Sequence, residues 1–302
     1  MAEEKALNVG PTGIEVAYER LGDAQAPPVL LVQGVAAQMI NWPDGFCAEL
    51  IAHGTQVIRF DNRDVGLSSH FPDALTPDLP AALAGDLSSV SYTLSDMAAD
   101  TVGLLDKLRL DSAHIVGVSM GGHIAQTIAI EHPSRVRSLT SMMSTTGDLS
   151  VGQPTPATLA AVFSGPPAKS RQQVIEKMIR AARVVGSPGF EIDEAGVRDR
   201  ARRAYDRGYD PLGVARTAVA SVASGDRTER LRSVDVPTLV IHGADDAMCD
   251  VSGGMATAAA IPGAELVIIE GMGHDLPCAL WPEIASRIAI LVQRVEAVTV
   301  ND

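Results

Sequence analysis

Ser119 stands in the run Gly117-Val118-Ser119-Met120-Gly121, followed by Gly122. A serine hydroxyl is a weak nucleophile and needs a base beside it. The pattern G-x-S-x-G is loose on its own. Here a buried-looking apolar run, Ala113 to Val118, precedes it, and a small-residue helical pattern, Gly121 to Glu131, follows it. That strand–turn–helix setting gives the pattern chemical meaning. Side chains at Gly117 or Gly121 would collide with neighbouring elements, and the sharp turn pushes the hydroxyl outward. The Met120 N–H then lies at the positive end of the helix dipole, aimed at a developing oxyanion. The competing reading is a plain Gly-rich β–α turn.

Seven histidines are available as the base: His53, His70, His114, His123, His132, His242 and His274. A serine on such a turn is followed along the chain by the acid and then by the histidine, which leaves His242 and His274. His242 ends an apolar run and suits a packing role. His274, in Gly271-Met272-Gly273-His274, lies on a mobile-looking loop after the last run. His274 is therefore the candidate base. The acid should hold the imidazole in one tautomer. Asp245, Asp246 and Asp250 compete, and the spacing H-G-x-x-D selects Asp246. Asp245 is the runner-up, with a hydrogen bond to the turn backbone as its alternative role. A second oxyanion donor is expected from Gln33-Gly34-Val35, with Gly34 allowing close approach and the Val35 N–H donating. Gly34 and Trp42 are candidate pocket walls, although Trp42 suits core filling equally well.

Positioning these groups takes a scaffold of alternating strands and helices. Apolar runs at Pro28–Gln33, Gln56–Phe60, Ala113–Val118, Val136–Met143, Pro237–His242 and Glu265–Ile269 are continuous rather than alternating. Such runs predict strands buried on both faces of a parallel sheet. Helical patterns cover Ser95–Lys107, with Ser95 as the expected N-cap, and Trp281–Arg294, with Pro282 in the first turn. The prediction is an α/β fold with a mostly parallel central sheet. Residues 145–232 break the rhythm. A Pro- and Gly-rich stretch, Val151 to Pro167, leads into helical patterns at Arg171–Val185, Asp193–Arg207 and Leu212–Ala223. We read 145–232 as a helical cap inserted before the last strands, and 1–144 with 233–302 as the core domain.

Composition narrows the function classes. Apolar residues make up 46% of the 302-residue chain and charged residues 20%, which suits a packed globular protein. The net charge is −13, so no phosphate-neutralising surface is indicated and nucleic acid is not an expected partner. No run is long and apolar enough to span a membrane, and no signal peptide is visible. The three cysteines, Cys47, Cys249 and Cys278, form an odd set, which argues against a disulfide framework and for a reducing, cytoplasmic setting. Cys278 is read as a packed, inert thiol. The run Arg198, Arg200, Arg202, Arg203 and Arg207 reads as a solvated helix face, with contact to an anionic substrate as the rival reading.

The elbow around Ser119, the run Asp61-Asn62-Arg63-Asp64-Val65-Gly66-Leu67-Ser68, the turn His242-Gly243 to Asp246, and Gly271 to His274 together resemble the α/β-hydrolase superfamily. The resemblance spans about Gly22 to Val292 and is weakest in 145–232. Many relatives carry Gly where Asp64 stands. That variant, with Asn41-Trp42-Pro43-Asp44-Gly45-Phe46 and Gly273-His274-Asp275-Leu276-Pro277, is most similar to the aclacinomycin methylesterase group, whose members demethylate a carboxymethyl ester on an aromatic polyketide. Cofactor-free haloperoxidase-like esterases and enol-lactonases share much of the pattern. Gln33 departs from the histidine that commonly precedes Gly34, and Ala247 from the proline that often follows the acid. Asp61 and Arg63 resemble a loop-bracing ion pair.

The resemblance implies a serine esterase with an acyl-enzyme intermediate, no metal and no organic cofactor. Its partner is a small-molecule ester with an apolar or aromatic acyl group, and a homodimer is left open. Lactone hydrolysis, C–C bond hydrolysis and perhydrolysis use the same groups, and a receptor that retains ligand without turnover is the rival from another class. Dehalogenases and epoxide hydrolases of this fold carry Asp where Ser119 stands.

Overall fold

In the computed structural model, which describes residues 3–163, 168 and 170–299, Val29 and Leu31 turn to one face of the sheet and Leu30 and Val32 to the other. Both faces are apolar, so the strand reads as an unbroken hydrophobic run. The strands are β1 (Glu4–Val9), β2 (Ile14–Leu21), β3 (Pro28–Val32), β4 (Gln56–Phe60), β5 (Ala113–Val118), β6 (Val136–Met142), β7 (Thr238–Gly243) and β8 (Glu265–Ile269). They form one sheet in the order β1-β2-β4-β3-β5-β6-β7-β8. The β1–β2 and β2–β4 pairs are antiparallel, and every other pair is parallel. The six expected strands are β3 to β8. The β1–β2 hairpin was not expected, because its charge-interrupted strands carry no continuous apolar run.

Helices α1 (Asp44–Ala52), α2 (Leu79–Leu83), α3 (Leu94–Lys107) and α4 (Met120–Glu131) lie between the earlier strands. The insertion between β6 and β7 holds α5 (Pro156–Phe163), α6 (Arg171–Val185), α7 (Glu194–Gly208), α8 (Pro211–Ala223) and α9 (Thr228–Leu231). Then come α10 (Ser252–Ala260) and α11 (Trp281–Thr299). Met97 of α3 and Ile124 and Ile128 of α4 pack on one face of the sheet. Phe46 and Leu50 of α1 pack with Ile284 and Ile288 of α11 on the other.

Three local expectations need correction. The α3 N-cap is Thr93, in a reciprocal pair with Asp96, and Ser95 lies inside the helix. The Thr93 N–H donates to Asp96 Oδ2 at 2.8 Å, an arrangement that satisfies donors Ser95 could not reach. Cys278 is exposed rather than packed, because it sits on a single turn ahead of α11. Asp61 and Arg63 brace different elements rather than each other. Arg63 forks onto Asp100 of α3 at 2.6 and 2.8 Å, and Asp61 meets Arg207 of α7 at 3.0 Å. Of the stretch Val151 to Pro167, residues 164–167 lie outside the described residues.

The two ends of the insertion meet at one buried side chain. The Arg227 guanidinium donates to the Thr145 and Gly225 carbonyls, each at 3.1 Å, and to Gln126 of α4 at 3.2 Å. At the far side Arg216 of α8 makes a two-pronged contact with Asp64, at 2.8 and 2.9 Å. Asp64 also accepts the Tyr92 hydroxyl at 2.7 Å.

Candidate active site

Ser119 occupies a backbone that few residues adopt, with φ 55° and ψ −125°, as the N-cap of α4. The surroundings enforce it. A Cβ on Gly117 would lie 2.1 Å from the Gly121 carbonyl oxygen, and one on Gly121 would lie 2.1 Å from that of Val32. The elbow therefore closes only with glycine at both places, as the sequence predicts. Strain of this kind persists where the surrounding structure over-determines it.

Asp246 follows β7 and His274 follows β8. The structure brings them to Ser119. His274 Nδ1 donates to Asp246 Oδ2 at 2.7 Å, and His274 Nε2 accepts from Ser119 Oγ at 3.0 Å. The tautomer is thereby set, with the proton on Nδ1 and the lone pair toward the serine. Asp246 is buried and also accepts the N–H groups of Met248 at 2.9 Å and Cys249 at 2.8 Å. Burial alone would raise its pKa. The imidazole hydrogen bonds and the Cys249 N–H outweigh that, and the carboxyl lies well below the usual carboxylate range.

His242 has a part that the sequence reading gave only to packing. It is fully buried in β7, and its Nε2–H donates to the Cys249 carbonyl at 2.7 Å while standing 3.5 Å from Asp246 Oδ2. It thus holds the loop that presents the acid. The signal was available in the four-residue spacing to Asp246. Asp245, the runner-up, is exposed and accepts the Gly271 N–H at 2.9 Å, a backbone-bracing role. Asp250 is exposed and accepts the Ser252 N–H.

The loop bearing His274 is pinned, contrary to the mobile loop expected. The His274 N–H donates to the Val185 carbonyl at 2.7 Å, the Gly273 N–H to Ser187 Oγ at 2.8 Å, and the Gly189 N–H to the Gly271 carbonyl at 2.9 Å. Ser187 Oγ in turn donates to Asp275. Residues 185–189 of the insertion therefore position the imidazole. Nothing in the spacing of the insertion announced this contact.

Gly34 packs directly against the serine; a Cβ there would lie 3.0 Å from Ser119 Cβ. Gln33 Oε1 accepts the Gly34 N–H at 3.3 Å, and the Gln33 carbonyl accepts from Asn62 at 3.1 Å. The glutamine in place of histidine thus stiffens the turn that presents Val35. Met120 is the first residue of α4, so its N–H is among the helix donors left without an intrahelical partner.

A cavity of about 370 Å³ opens over these groups. Gly34, Val35, Ser119 and His274 form its floor, and Met178, Ala181, Ala182, Val185, Val197 and Ala201 of the insertion form its roof. Trp42 is not part of it. The ring is fully buried and stacks on Phe46 at 5.7 Å, while Asn41 and Pro43 on either side face the cavity. The chain turns there to start α1, which sends the Trp42 side chain into the core. Arg200 does reach the cavity, so the arginine run divides. Arg202 and Arg203 are exposed, and Arg207 is drawn onto Glu3 and Asp61.

The family model described as alpha/beta hydrolase fold matches residues 27–277. The chain is 30% identical to a rhodomycin D methylesterase of Streptomyces peucetius, over 89% of this chain and 92% of that one. It is 29% identical to a 2-hydroxy-6-oxononadienedioate/2-hydroxy-6-oxononatrienedioate hydrolase of Pseudomonas putida, over 89% and 88% of the two chains. Among solved structures, the enol-lactonase of Burkholderia xenovorans superposes with a TM-score of 0.68 at 22% identity, covering 97% of this chain and all of the other.

Proposed function

The chain belongs to the α/β-hydrolase family and is a hydrolase, and on that premise we propose that it is a serine esterase acting on methyl esters of apolar or aromatic acids. The observation that carries the mechanism is the chain of hydrogen bonds from Ser119 through His274 to Asp246 beneath the 370 Å³ cavity. The similarity to a methylesterase over most of both chains supports the choice of bond.

Ser119 Oγ attacks the ester carbonyl carbon while His274 Nε2 takes its proton. The carbonyl oxygen becomes an oxyanion and accepts the N–H groups of Val35 and Met120. Collapse breaks the bond to the alcohol oxygen, which takes the proton from His274 and leaves as methanol. Water then gives its proton to His274 and attacks the acyl-serine. The second collapse returns that proton to Ser119 Oγ and frees the acid. Asp246 keeps the imidazole in its tautomer and balances its charge. Residues 145–232 act as the cap, and 1–144 with 233–302 as the core that holds the reacting groups.

Turnover of p-nitrophenyl esters with acyl chains of two to twelve carbons, compared between wild type and Ser119→Ala, tests the reading. A loss on the order of 10³ or more is expected. Equal activity would remove Ser119 as nucleophile. The similarity to the Pseudomonas hydrolase favours one rival, C–C bond cleavage on the same groups, and intact 2-hydroxy-6-oxo-dienoic acids assayed beside the esters separate the two.

A further inference from the structure

The catalytic cavity has a neighbour. A second hollow of about 320 Å³ lies beside it, and Ala36, Met178 and Ala181 line both. Two of those residues are alanines. The third is an unbranched thioether chain, the type that re-packs most easily around a guest.

The second hollow has a distinct chemistry. Tyr205 and Tyr209 of its wall are stacked, with ring centroids 5.5 Å apart and planes 20° from parallel. Val174 and Val214 add aliphatic surface. Its carboxylates are already engaged, Asp64 by Arg216 and Asp210 by His70 Nδ1 at 2.9 Å. Lys177 and Gln38 also line it, and the Arg171 guanidinium lies 5.9 Å from the Tyr205 centroid; the aromatic pair and aliphatic walls between these polar points suit a flat apolar group.

We propose that this hollow is a second substrate subsite, taking an aromatic arm on the acyl side of the ester, with Met178 as the partition between arm and reacting bond. The inference rests on the esterase reading. A methyl leaving group occupies little of the first cavity, so the substrate's bulk belongs to the acyl group and extends past Met178.

The test is a binding measurement in the Ser119→Ala protein, so that it does not depend on turnover. Methyl esters of straight-chain acids with one to six methylenes are titrated calorimetrically, with and without a terminal naphthyl ring. At the spacer that bridges Met178, the ring should tighten binding by about three- to tenfold. In Ser119→Ala/Val214→Trp, which fills the second hollow, that ratio should fall to near one. Tyr205→Ala provides a second variant with the same expectation should the tryptophan prevent folding. A ring that gains nothing at any spacer, or a gain that both variants leave intact, overturns the subsite. Absence of ester cleavage by the wild type overturns the esterase reading instead, and the two failures register in different assays.

Discussion

Around the sheet, Leu30, Ile115, Leu139 and Ile124 belong to a continuous apolar core, and Val29, Leu31 and Ile284 to another on the opposite face. In the insertion, Ala220 of α8 and Leu231 of α9 join the first of these cores, but the rest forms small clusters: Ile175, Ile179 and Ala201 in one, and Ala204 with Met39 and Ile40 in another. Charge does more of the holding there. Arg216 reaches Asp64 and Arg207 reaches Asp61, both on the loop after β4. Exposed pairs such as Arg171 with Asp206 and Arg183 with Glu194 add little. The Ser119 elbow is thus set by close packing and the Asp246 loop by buried hydrogen bonds, whereas the insertion is tied to the core and to the His274 loop mainly through a few polar contacts. Ser119 and Asp246 lie on the core, and much of the cavity wall opposite them comes from the insertion.

The largest expected effect lies in the core. Asp246→Asn should lower kcat by about 10⁴, since the amide favours the wrong imidazole tautomer. A loss below tenfold in steady-state turnover would break the proposed relay. In the insertion, Arg216→Ala leaves Asp64 buried without its partner. We expect a loss of about 3–5 kcal/mol in urea unfolding, and a loss under 1 kcal/mol would show that charge does not hold α8 to the core.

The sheet should be the more sensitive region to mild acid. His114 of β5 is fully buried, and burial pushes its pKa down to about 4 from 6.5. The folded chain stays neutral there while the unfolded chain takes up a proton. Stability therefore falls as pH drops from about 6.5 to 4, by a few kcal/mol. Urea midpoints for wild type and His114→Gln across that range check the slope, which the variant should flatten.

Smaller effects sharpen the contrast. Ser187→Ala removes the acceptor of the Gly273 N–H. It should lower kcat on the order of tenfold with little change in KM, and Ser187→Thr should restore most of it. Asp64 has φ 61°, the region glycine prefers. Asp64→Gly and Asp64→Ala both lose the ion pair, but the glycine variant should unfold at the higher urea concentration, by about 1 kcal/mol.

The legible parts follow the same division. Strands β3 to β7 could be read because burial on both faces leaves unbroken apolar runs, and the edge strand β8 because its run is apolar although Leu266 and Ile268 are exposed. Gly117 and Gly121 could be read because sterics allow no other residue at those two places of the elbow. Met120 begins α4 and Val35 lines the cavity, and their proposed oxyanion roles follow from those positions alone. Trp42 misled because residue type does not say which way a side chain leaves a turn. The partners of Asp61 and Arg63 were invisible because they come from α7 and α3, far along the chain. The Asp at 64, seen only as a departure from glycine, makes sense once Arg216 is known to lie against it: the ion pair offsets the strained backbone.

The bond from the His274 N–H to the Val185 carbonyl also bears on how the molecule is made. A chain with its sheet assembled but residues 185–189 not yet seated would have Ser119 without a fixed base, and ester turnover would wait on that docking. During refolding from denaturant, recovery of ester turnover should trail recovery of the far-UV circular dichroism signal. In Ser187→Ala, where the seat is weaker, the interval between the two should lengthen.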